Sequence, residues 1–476
     1  MLDSAAVGPA RSVGGNGWAG KHIHMIGIGG CGMSAAAALL LRSGAIVSGS
    51  DLKPFAGLGP LVAQGATVYV GHRSDHLPPD AERVVVSAAI PETNPERLAA
   101  CQRGLPVLRY AQLLGELMDQ RRGIAVAGTH GKSTTTALLA HIFRSAGLDP
   151  SFIVGASSPQ LGGSSGVGRG EHFIVEACEY ARSFLALKPV AAGILNIDAD
   201  HLDCYKDLDE IRAAFAAFAA AVSPGGMLIT PHCEQEVAEA ALACGVRHET
   251  FGFERDADWT VDHLDAGHGC YAFDVLHRSR RLLSAQLRLA GRHNVGNALL
   301  AAALACHESV RPEDIASGLE TFEGVDRRMT RRGAGRGITI IDDYAHHPTE
   351  IVATLRALHD RYQPKRMVVV FQPHQASRTR RLMHEFARAF TVADIVIVAD
   401  IYSVRDSEED RAAARSSDLV SLIHQNGGDA RYIGPLAEVT RHVEENVTPG
   451  DLVVTMGAGD VGKIADELAQ RVCGAN

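Results

Sequence analysis

The 476-residue sequence contains no CxxC pair, and its nine cysteines are scattered and odd in number. That spacing argues against a disulfide framework or a zinc ribbon and fits the reduced thiols of a cytoplasmic protein. Long apolar runs are also missing. Stretches such as Ala213–Val222 reach about half of the roughly 20 residues that a spanning helix needs. The N-terminus has no long apolar core behind its basic residue, which argues against a secretory signal. Positive charge is not in excess: 46 Lys and Arg stand against 55 Asp and Glu, for a formal charge of −9. Such a balance makes a poor general nucleic-acid binder and leaves room only for a local basic site. Neither a nucleic acid nor a membrane is therefore an expected partner. No repeat of 20–50 residues is visible, although alternating α/β units could still be structurally related.

What the chain does have is alternation. Hydrophobic residues make up 46% and charged residues 21%, the balance of a globular protein with several cores. At about 150 residues per domain, the length suggests three domains. Residues 1–20 hold five glycines and little apolar periodicity, and are expected to form a mobile tail. From Lys21, apolar runs at Ile23–Ile28, Ala45–Val47, Thr67–Val70, Val84–Val86 and Pro106–Leu108 alternate with helical stretches such as Met33–Arg42. This is the pattern of a parallel sheet flanked by helices. Runs at Ile124–Ala127, Phe173–Val175 and Ala191–Ile197, with helices at Leu208–Val222 and Val295–His307, mark a second unit. Its residues 251–290 alternate apolar and polar residues, which predicts antiparallel strands. Runs at Ile338–Ile341, Met367–Phe371, Ile395–Val398 and Leu452–Thr455 mark a third. The expected boundaries are a tail at 1–20 and domains at 21–121, 122–325 and 326–476.

Three glycine-rich loops follow strands. Gly27-Ile28-Gly29-Gly30-Cys31-Gly32 fits GxGxxG, and Asp51 lies 19 residues after Gly32 at the end of the next strand. Glycines let the backbone approach a pyrophosphate, the following helix offers its N–H groups, and an acid at that distance could meet a ribose hydroxyl. Any nucleotide diphosphate would suit such a loop, and a tight turn without a ligand is the alternative. Gly128-Thr129-His130-Gly131-Lys132-Ser133-Thr134 keeps the GK[ST] core of a phosphate-binding P-loop. Its backbone would cradle phosphates, Lys132 would neutralise their charge, and Ser133 or Thr134 would reach Mg²⁺. The third loop, Gly457-Ala458-Gly459-Asp460-Val461-Gly462, repeats GxGxxG but has no acid downstream, and ligand and no-ligand readings stand level.

Polar residues gather at predicted strand ends, where doubly wound sheets bind ligands. Glu176, with Glu179 beyond it, resembles a carboxylate that holds Mg²⁺ at a P-loop. Asp198, Asp200, His201 and Asp203 follow the next strand and could form a second metal site. Asn294 and Asn297 share a helix face and could read an adenine or a phosphate, with capping by Asn294 as the competing reading. Asp342-Asp343-Tyr344-Ala345-His346-His347 and Gln372-Pro373-His374, then Ser377-Arg378-Thr379-Arg380, end two further strands. The arginines there are good carboxylate forks.

Taken in order, these motifs resemble the Mur ligases of peptidoglycan synthesis. The resemblance rests on GIGGCGMS at 27–34, SAAIPETNPE at 87–96, GTHGKSTTT at 128–136, EACEYARSFL at 176–185 and NIDADHLDCY at 196–205. It continues through GRHNVGNALLAA at 291–302, FEGVDRRM at 322–329, DDYAHHPTE at 342–350, FQPHQASRTR at 371–380 and GAGD at 457–460. It implies three α/β domains: an N-terminal Rossmann-like parallel sheet, a central P-loop ATPase-like domain and a C-terminal Rossmann-like domain. They would bind a UDP-sugar, ATP and an amino acid respectively.

The implied reaction, part of cytoplasmic cell-wall precursor synthesis, joins L-alanine to the carboxylate of UDP-N-acetylmuramate through an acyl phosphate, at the expense of ATP. The alternative within the family joins a whole peptide in a recycling reaction. The UDP-sugar loop would be Gly27, Gly29, Gly30 and Gly32 with Asp51. ATP would meet Gly128, Thr129, His130, Gly131, Lys132, Ser133, Thr134, Asn294 and Asn297. Mg²⁺ would be held by Ser133, Thr134, Glu176 and His201, and Lys132, Glu176, His201, Arg328 and Asp343 would be catalytic. His346, His374 and Arg378 would bind the amino acid. A monomer or weak dimer is expected.

Overall fold

The computed structural model describes residues 17–473 apart from positions 56, 268, 404 and 405. Most of the expected tail, residues 1–16, lies outside the described residues. Its last four residues belong to the fold. Trp18 is 2% exposed, under the Arg83 guanidinium at 5.5 Å, and Gly20 donates its N–H to Gly44. A single aromatic with somewhere to pack overrides the flexibility that the glycines suggest.

Three sheets carry the α/β architecture, and packing gathers the chain into two compact units. Unit one comprises residues up to 197, 208–259 and 300–318; unit two comprises 198–207, 260–299 and 319 onward. In unit one, strands β1 (His22–Ile26), β2 (Ile46–Asp51), β3 (Thr67–Val70), β4 (Arg83–Val86) and β5 (Val107–Arg109) form a parallel sheet in the order β3-β2-β1-β4-β5. The order reverses direction at β1, so the loop after β1 opens at a switch point, where the mouths of two crossovers diverge.

The second sheet of unit one contains β6 (Arg122–Ala127), β7 (Ser151–Ser158), β8 (Gly163–Gly166), β9 (His172–Glu176), β10 (Ala191–Ile194), β11 (Met227–Pro231) and β12 (Arg247–Phe251). Their order is β12-β11-β10-β6-β9-β7-β8, parallel except for β8. The central strands are apolar throughout because helices cover both faces: Ile124 to Ala127 are all at 0% exposure. The Lys132–Ser145 helix buries ten of its fourteen residues against this sheet.

From Thr260 in unit two, β13 (Trp259–Gly267) leads to β14 (Cys270–His277) and β15 (Arg280–Ala290). β14 and β15 pair antiparallel across a turn in which Arg278 and Ser279 both have positive φ, the geometry of a two-residue hairpin. The antiparallel expectation at 251–290 is thus realised between β14 and β15, whereas Phe251 pairs in parallel with Trp259. The third sheet has β16 (Thr330–Gly335), β17 (Ile338–Asp343), β18 (Arg366–Phe371), β19 (Ile395–Val398), β20 (Ala430–Tyr432) and β21 (Asp451–Met456), in the order β16-β17-β21-β18-β19-β20. All are parallel to their neighbours except the edge strand β16. Among the described residues, no helix is long and apolar enough to cross a membrane.

Candidate active site

The loop after β1 is pinned by the next strand. Gly27 and Ile28 donate their N–H groups to the Ser50 carbonyl at 2.8 and 3.0 Å, and Gly29 donates to Asp51 Oδ2 at 2.8 Å. Gly27 has φ +79°, and a Cβ on Gly29 would stand 2.7 Å from that same carboxylate oxygen. On Gly32 it would collide with the Tyr110 hydroxyl. The glycines are therefore required by close approach, and one oxygen of Asp51 is committed to shaping the loop. Gly30 is the N-cap of the Cys31–Arg42 helix.

Beneath this loop lies a polar network that sequence reasoning missed. Glu96, fully buried, accepts from His24 Nε2 at 2.7 Å, Ser50 Oγ at 2.9 Å and the Arg73 N–H at 3.2 Å, and meets His72 Nδ1 at 3.1 Å. Asn94 caps the Pro95–Gln102 helix by accepting from Glu96 and Arg97. The apolar/polar alternation of β1, with His24 among apolar residues, was the available signal.

At the second loop, Gly128 and Gly131 take φ +132° and +83°, values that favour glycine. Asn196, beyond β10, grips the loop from the side. Its Oδ1 accepts from His130 N–H at 2.8 Å, its Nδ2 donates to the His130 carbonyl at 3.1 Å, and its own carbonyl accepts from Thr129 N–H at 3.0 Å. Lys132 Nζ donates to the Gly128 carbonyl at 2.5 Å and the Thr129 carbonyl at 2.9 Å, and pairs with Glu179 Oε2 at 2.8 Å. Burial alone would lower the lysine pKa, but Glu179, with Cys178 and Glu176 behind it, outweighs burial and holds it above the ordinary value. The ammonium is thus kept charged beside the glycine loop.

Ser133 and Thr134 start the helix and are 8% and 7% exposed. Glu176 ends β9 in register with Val126 of β6, and its Oε2 accepts from Gly155 N–H at 2.6 Å. Two hydroxyls and a carboxylate are hard oxygen donors of the kind Mg²⁺ takes, so the donor chemistry present in unit one fits that ion.

The remaining expected residues lie in unit two. Asn294 Nδ2 donates to the Ala290 carbonyl at 2.7 Å, and Asn297 Nδ2 donates to Asn294 Oδ1 at 2.9 Å. The helix begins at Arg292, so Asn294 sits inside it and the capping reading is not the one realised. Neighbouring His293 is pushed down to about 4 by burial, aided by Arg328 and opposed by Glu350.

From Arg328 a connected set of side chains runs across the ends of β17 and β18. Arg328 stands 5.3 Å over the Tyr344 ring and donates to Glu350 at 3.4 Å. Glu350 accepts from His346 N–H at 3.1 Å, and the His346 ring lies 5.9 Å from that of His374. Burial takes the His346 pKa down to about 4, against the pull of Glu350. His374 Nδ1 meets Arg378 Nη1 at 3.2 Å, and Arg378 Nη2 pairs with Asp200 at 2.8 Å. Burial would raise the Asp200 pKa, but Arg378, with His201 and His346, holds it well below the carboxylate range. His201, next in sequence, takes φ +54°. His346, His374, Arg378 and His201 are therefore brought together, and Asp200, read in sequence as a candidate metal ligand, joins them as the ion-pair partner of Arg378. The segment 198–207, assigned by sequence to the ATP domain, packs within unit two.

Asp343 is 2% exposed and accepts from Met329 N–H at 2.6 Å and Ala345 N–H at 2.8 Å. It thereby shapes the segment that carries Arg328. Burial pushes its pKa up to about 6, against the pull of Arg328 and the two N–H groups. Because this exceeds the ordinary value of about 3.9, the folded protein binds the extra proton between roughly pH 4 and 6, and this group costs stability as pH rises through that window. Activity is expected to follow the ionised form, which grips both N–H groups, and to fall as pH drops through about 6. Asp343→Asn should lower activity and remove that limb from the pH profile of kcat/KM; a limb of unchanged midpoint in the variant would refute the assignment.

The third glycine loop is filled by the protein itself. Arg327 Nη2 and Nη1 donate to the Gly457 and Gly459 carbonyls at 2.7 and 3.0 Å, and Gln372 Nε2 donates to Asp460 at 2.9 Å. This favours the ligand-free reading of that loop.

A pinned glycine loop at a switch point, a charged lysine in a P-loop, and an arginine–histidine cluster on a third α/β sheet define a nucleotide-using, three-domain enzyme. Residues 22–122 match the Mur ligase family catalytic domain, 126–305 the Mur ligase middle domain, and 327–459 the Mur ligase glutamate ligase domain. The chain belongs to the Mur ligase family. It is 41% identical over 450 residues to the UDP-N-acetylmuramate–L-alanine ligase of Alkaliphilus metalliredigens, covering 94% of this chain and 97% of that one. It is 40% identical to the ligase of the same name from Acetivibrio thermocellus, covering 94% and 95%. Among solved structures, it is similar to the UDP-N-acetylmuramate–alanine ligase of Thermotoga maritima, with TM-score 0.78 and 26% identity over 96% of this chain and 100% of that one. A murein peptide ligase from Psychrobacter arcticus gives TM-score 0.67 at 26% identity, covering 95% and 99%.

Proposed function

We propose that the protein is an ATP-dependent ligase that joins the amine of L-alanine to the carboxylate of UDP-N-acetylmuramate, in peptidoglycan precursor synthesis. The observation that carries this reading is Lys132: a charged, nearly buried ammonium inside a glycine loop, aligned with the start of a helix. A carboxylate is a poor acyl donor. Phosphorylation by ATP gives it a leaving group, and the amine then attacks the carbonyl and expels phosphate.

In the first step the carboxylate attacks the γ-phosphate and ADP leaves, which brings two anions together, so fixed positive charge is the main requirement. Lys132 supplies it at the β/γ-phosphates, with the loop N–H groups around it. Ser133, Thr134 and Glu176, with His201 as a further proposed ligand, would hold Mg²⁺, which when bound neutralises phosphate charge. Asn294 and Asn297 are assigned to the nucleotide. Arg328, held by Tyr344 and Glu350, adds positive charge for the transferring phosphoryl group, and Asp343 fixes its segment. Gly27, Gly29, Gly30 and Gly32 with Asp51 are assigned to the UDP pyrophosphate. Arg378, with His374 and His346, takes the alanine carboxylate, which leaves the amine as the reactive end. Residues 21–121, 122–325 and 326–476 are assigned to UDP-sugar, ATP and amino acid. ATP and UDP-sugars are cytoplasmic metabolites, so a cytoplasmic monomer or weak dimer is the working form.

The test is phosphate release from ATP and Mg²⁺ with UDP-N-acetylmuramate, with and without L-alanine. Release that requires both acceptor and alanine is expected. Release with a tripeptide but not with alanine would replace this reading by the recycling reaction, and silence with both would remove ligase activity altogether.

A further inference from the structure

Arg378 is the only side chain assigned to the amino-acid carboxylate that carries a permanent charge, and it does not stand alone. Its side chain is 9% exposed, and the Asp200 side chain opposite is 7% exposed. Asp200 Oδ1 accepts from Arg378 Nε at 3.2 Å and Nη2 at 2.8 Å, and from the His201 N–H at 2.6 Å. A guanidinium has five N–H groups in a rigid plane. Asp200 engages the side edge, Nε and Nη2, and His374 faces Nη1 at 3.2 Å. The end edge, Nη1 and Nη2, is the one that Asp200 does not engage. Its direction is set by the carboxylate on the other side.

We propose that Asp200 is a positioning and specificity residue for the amino-acid substrate. It aims the end edge of Arg378 at the incoming carboxylate, and it cancels the arginine charge so that the pocket accepts a zwitterion in preference to a simple carboxylate. An isolated buried guanidinium attracts any monoanion. A guanidinium paired with a carboxylate is a dipole of no net charge, and its complement is a molecule carrying both an ammonium and a carboxylate. Such charge matching selects by rejecting the wrong ligand as much as by binding the right one. The inference rests on the reading of Arg378 as the carboxylate ligand and names the group that would give it selectivity.

The experiment uses the full-length protein with saturating ATP, Mg²⁺ and UDP-N-acetylmuramate. L-alanine is varied, and propionate, which is alanine without its amine, serves as the competitor. In Asp200→Asn the KM for alanine is expected to rise about tenfold or more, as misaimed binding groups cost up to roughly 10²-fold. The Ki for propionate should hold or fall, because the pocket gains a net positive charge. Asp200→Glu keeps the charge, so it should retain the wild-type ratio of alanine KM to propionate Ki even if both shift. Unchanged alanine KM in Asp200→Asn, a lower one, or alanine and propionate constants rising in parallel would overturn the proposal. If Asp200→Asn does not fold, Asp200→Glu decides alone: a changed ratio overturns it and a preserved ratio with a shifted alanine KM supports it. Wild-type protein that releases no phosphate with alanine would instead count against the ligase reading itself.

Discussion

Lys132→Ala is expected to lower phosphate release by at least about 10²–10³-fold, the usual consequence of removing one preorganised charge-stabilising group. The structure gives a reason for an effect at the upper end. Lys132 Nζ is surrounded by the carbonyls of Gly128 and Thr129 and by Glu179. Without it, two carbonyl oxygens and the carboxylate of Glu179, itself 2% exposed, face the space proposed for phosphates, and the loop changes from attracting anions to repelling them. ATP affinity should fall along with kcat, while UDP-sugar affinity, measured by calorimetry on the same variant, should hold. Lys132→Arg keeps the charge, but a planar fork does not reproduce a point donor among three oxygens, and it should remain strongly impaired. Activity of Lys132→Ala within tenfold of wild type would remove Lys132 from the chemistry.

The second large effect concerns stability. Glu96→Ala leaves His24, His72, Ser50 Oγ and the Arg73 N–H without their shared acceptor, in a region where Glu96 and His24 are both fully buried. Removing one member of a buried charged network costs about 3–5 kcal/mol. For a domain of this size that is a fall in Tm on the order of 10 °C. UDP-sugar binding should weaken with it, because Ser50 also holds Gly27 and Ile28 through its carbonyl. The loss should depend on pH. Burial would raise the Glu96 pKa, but His24, Ser50 and His72 outweigh it and hold the carboxyl below its ordinary value. A depressed carboxylate contributes its stability above the unfolded value and loses it as pH falls through the folded value. The gap between wild type and variant should therefore be full at neutral pH and shrink below about pH 4. Denaturant titrations at pH 7 and pH 3.5 would show this, and a gap that widens in acid would refute it.

Much of the site was legible because it is local. Strand, glycine turn and helix follow one another within about ten residues at 27–32 and 128–134, and a lysine in such a turn announces an anion whatever surrounds it. Glu176 and the 196–203 cluster were visible as polar residues at the ends of apolar runs. Trp18 was not, because nothing in residues 1–20 signals that Arg83 will cover its ring. Asn196 is legible in sequence only as the first residue of NIDADHLDCY, and its grip on His130, 66 positions earlier, needs β6 and β10 side by side. The same holds for Arg327, which fills a glycine loop 130 residues away for which the pattern left ligand and no-ligand readings level.

Periodicity and turn chemistry are properties of neighbouring residues, so the sequence by itself determined the alternating α/β elements, the phosphate loops and the residue types that could do ligase chemistry. Which charges meet is a property of strand order and helix packing, and only the tertiary structure decided it. It pairs Lys132 with Glu179, Glu96 with His24 and His72, and Arg378 with Asp200. A buried charge takes its meaning from its partner, and the partner here lies between 24 and 178 residues distant.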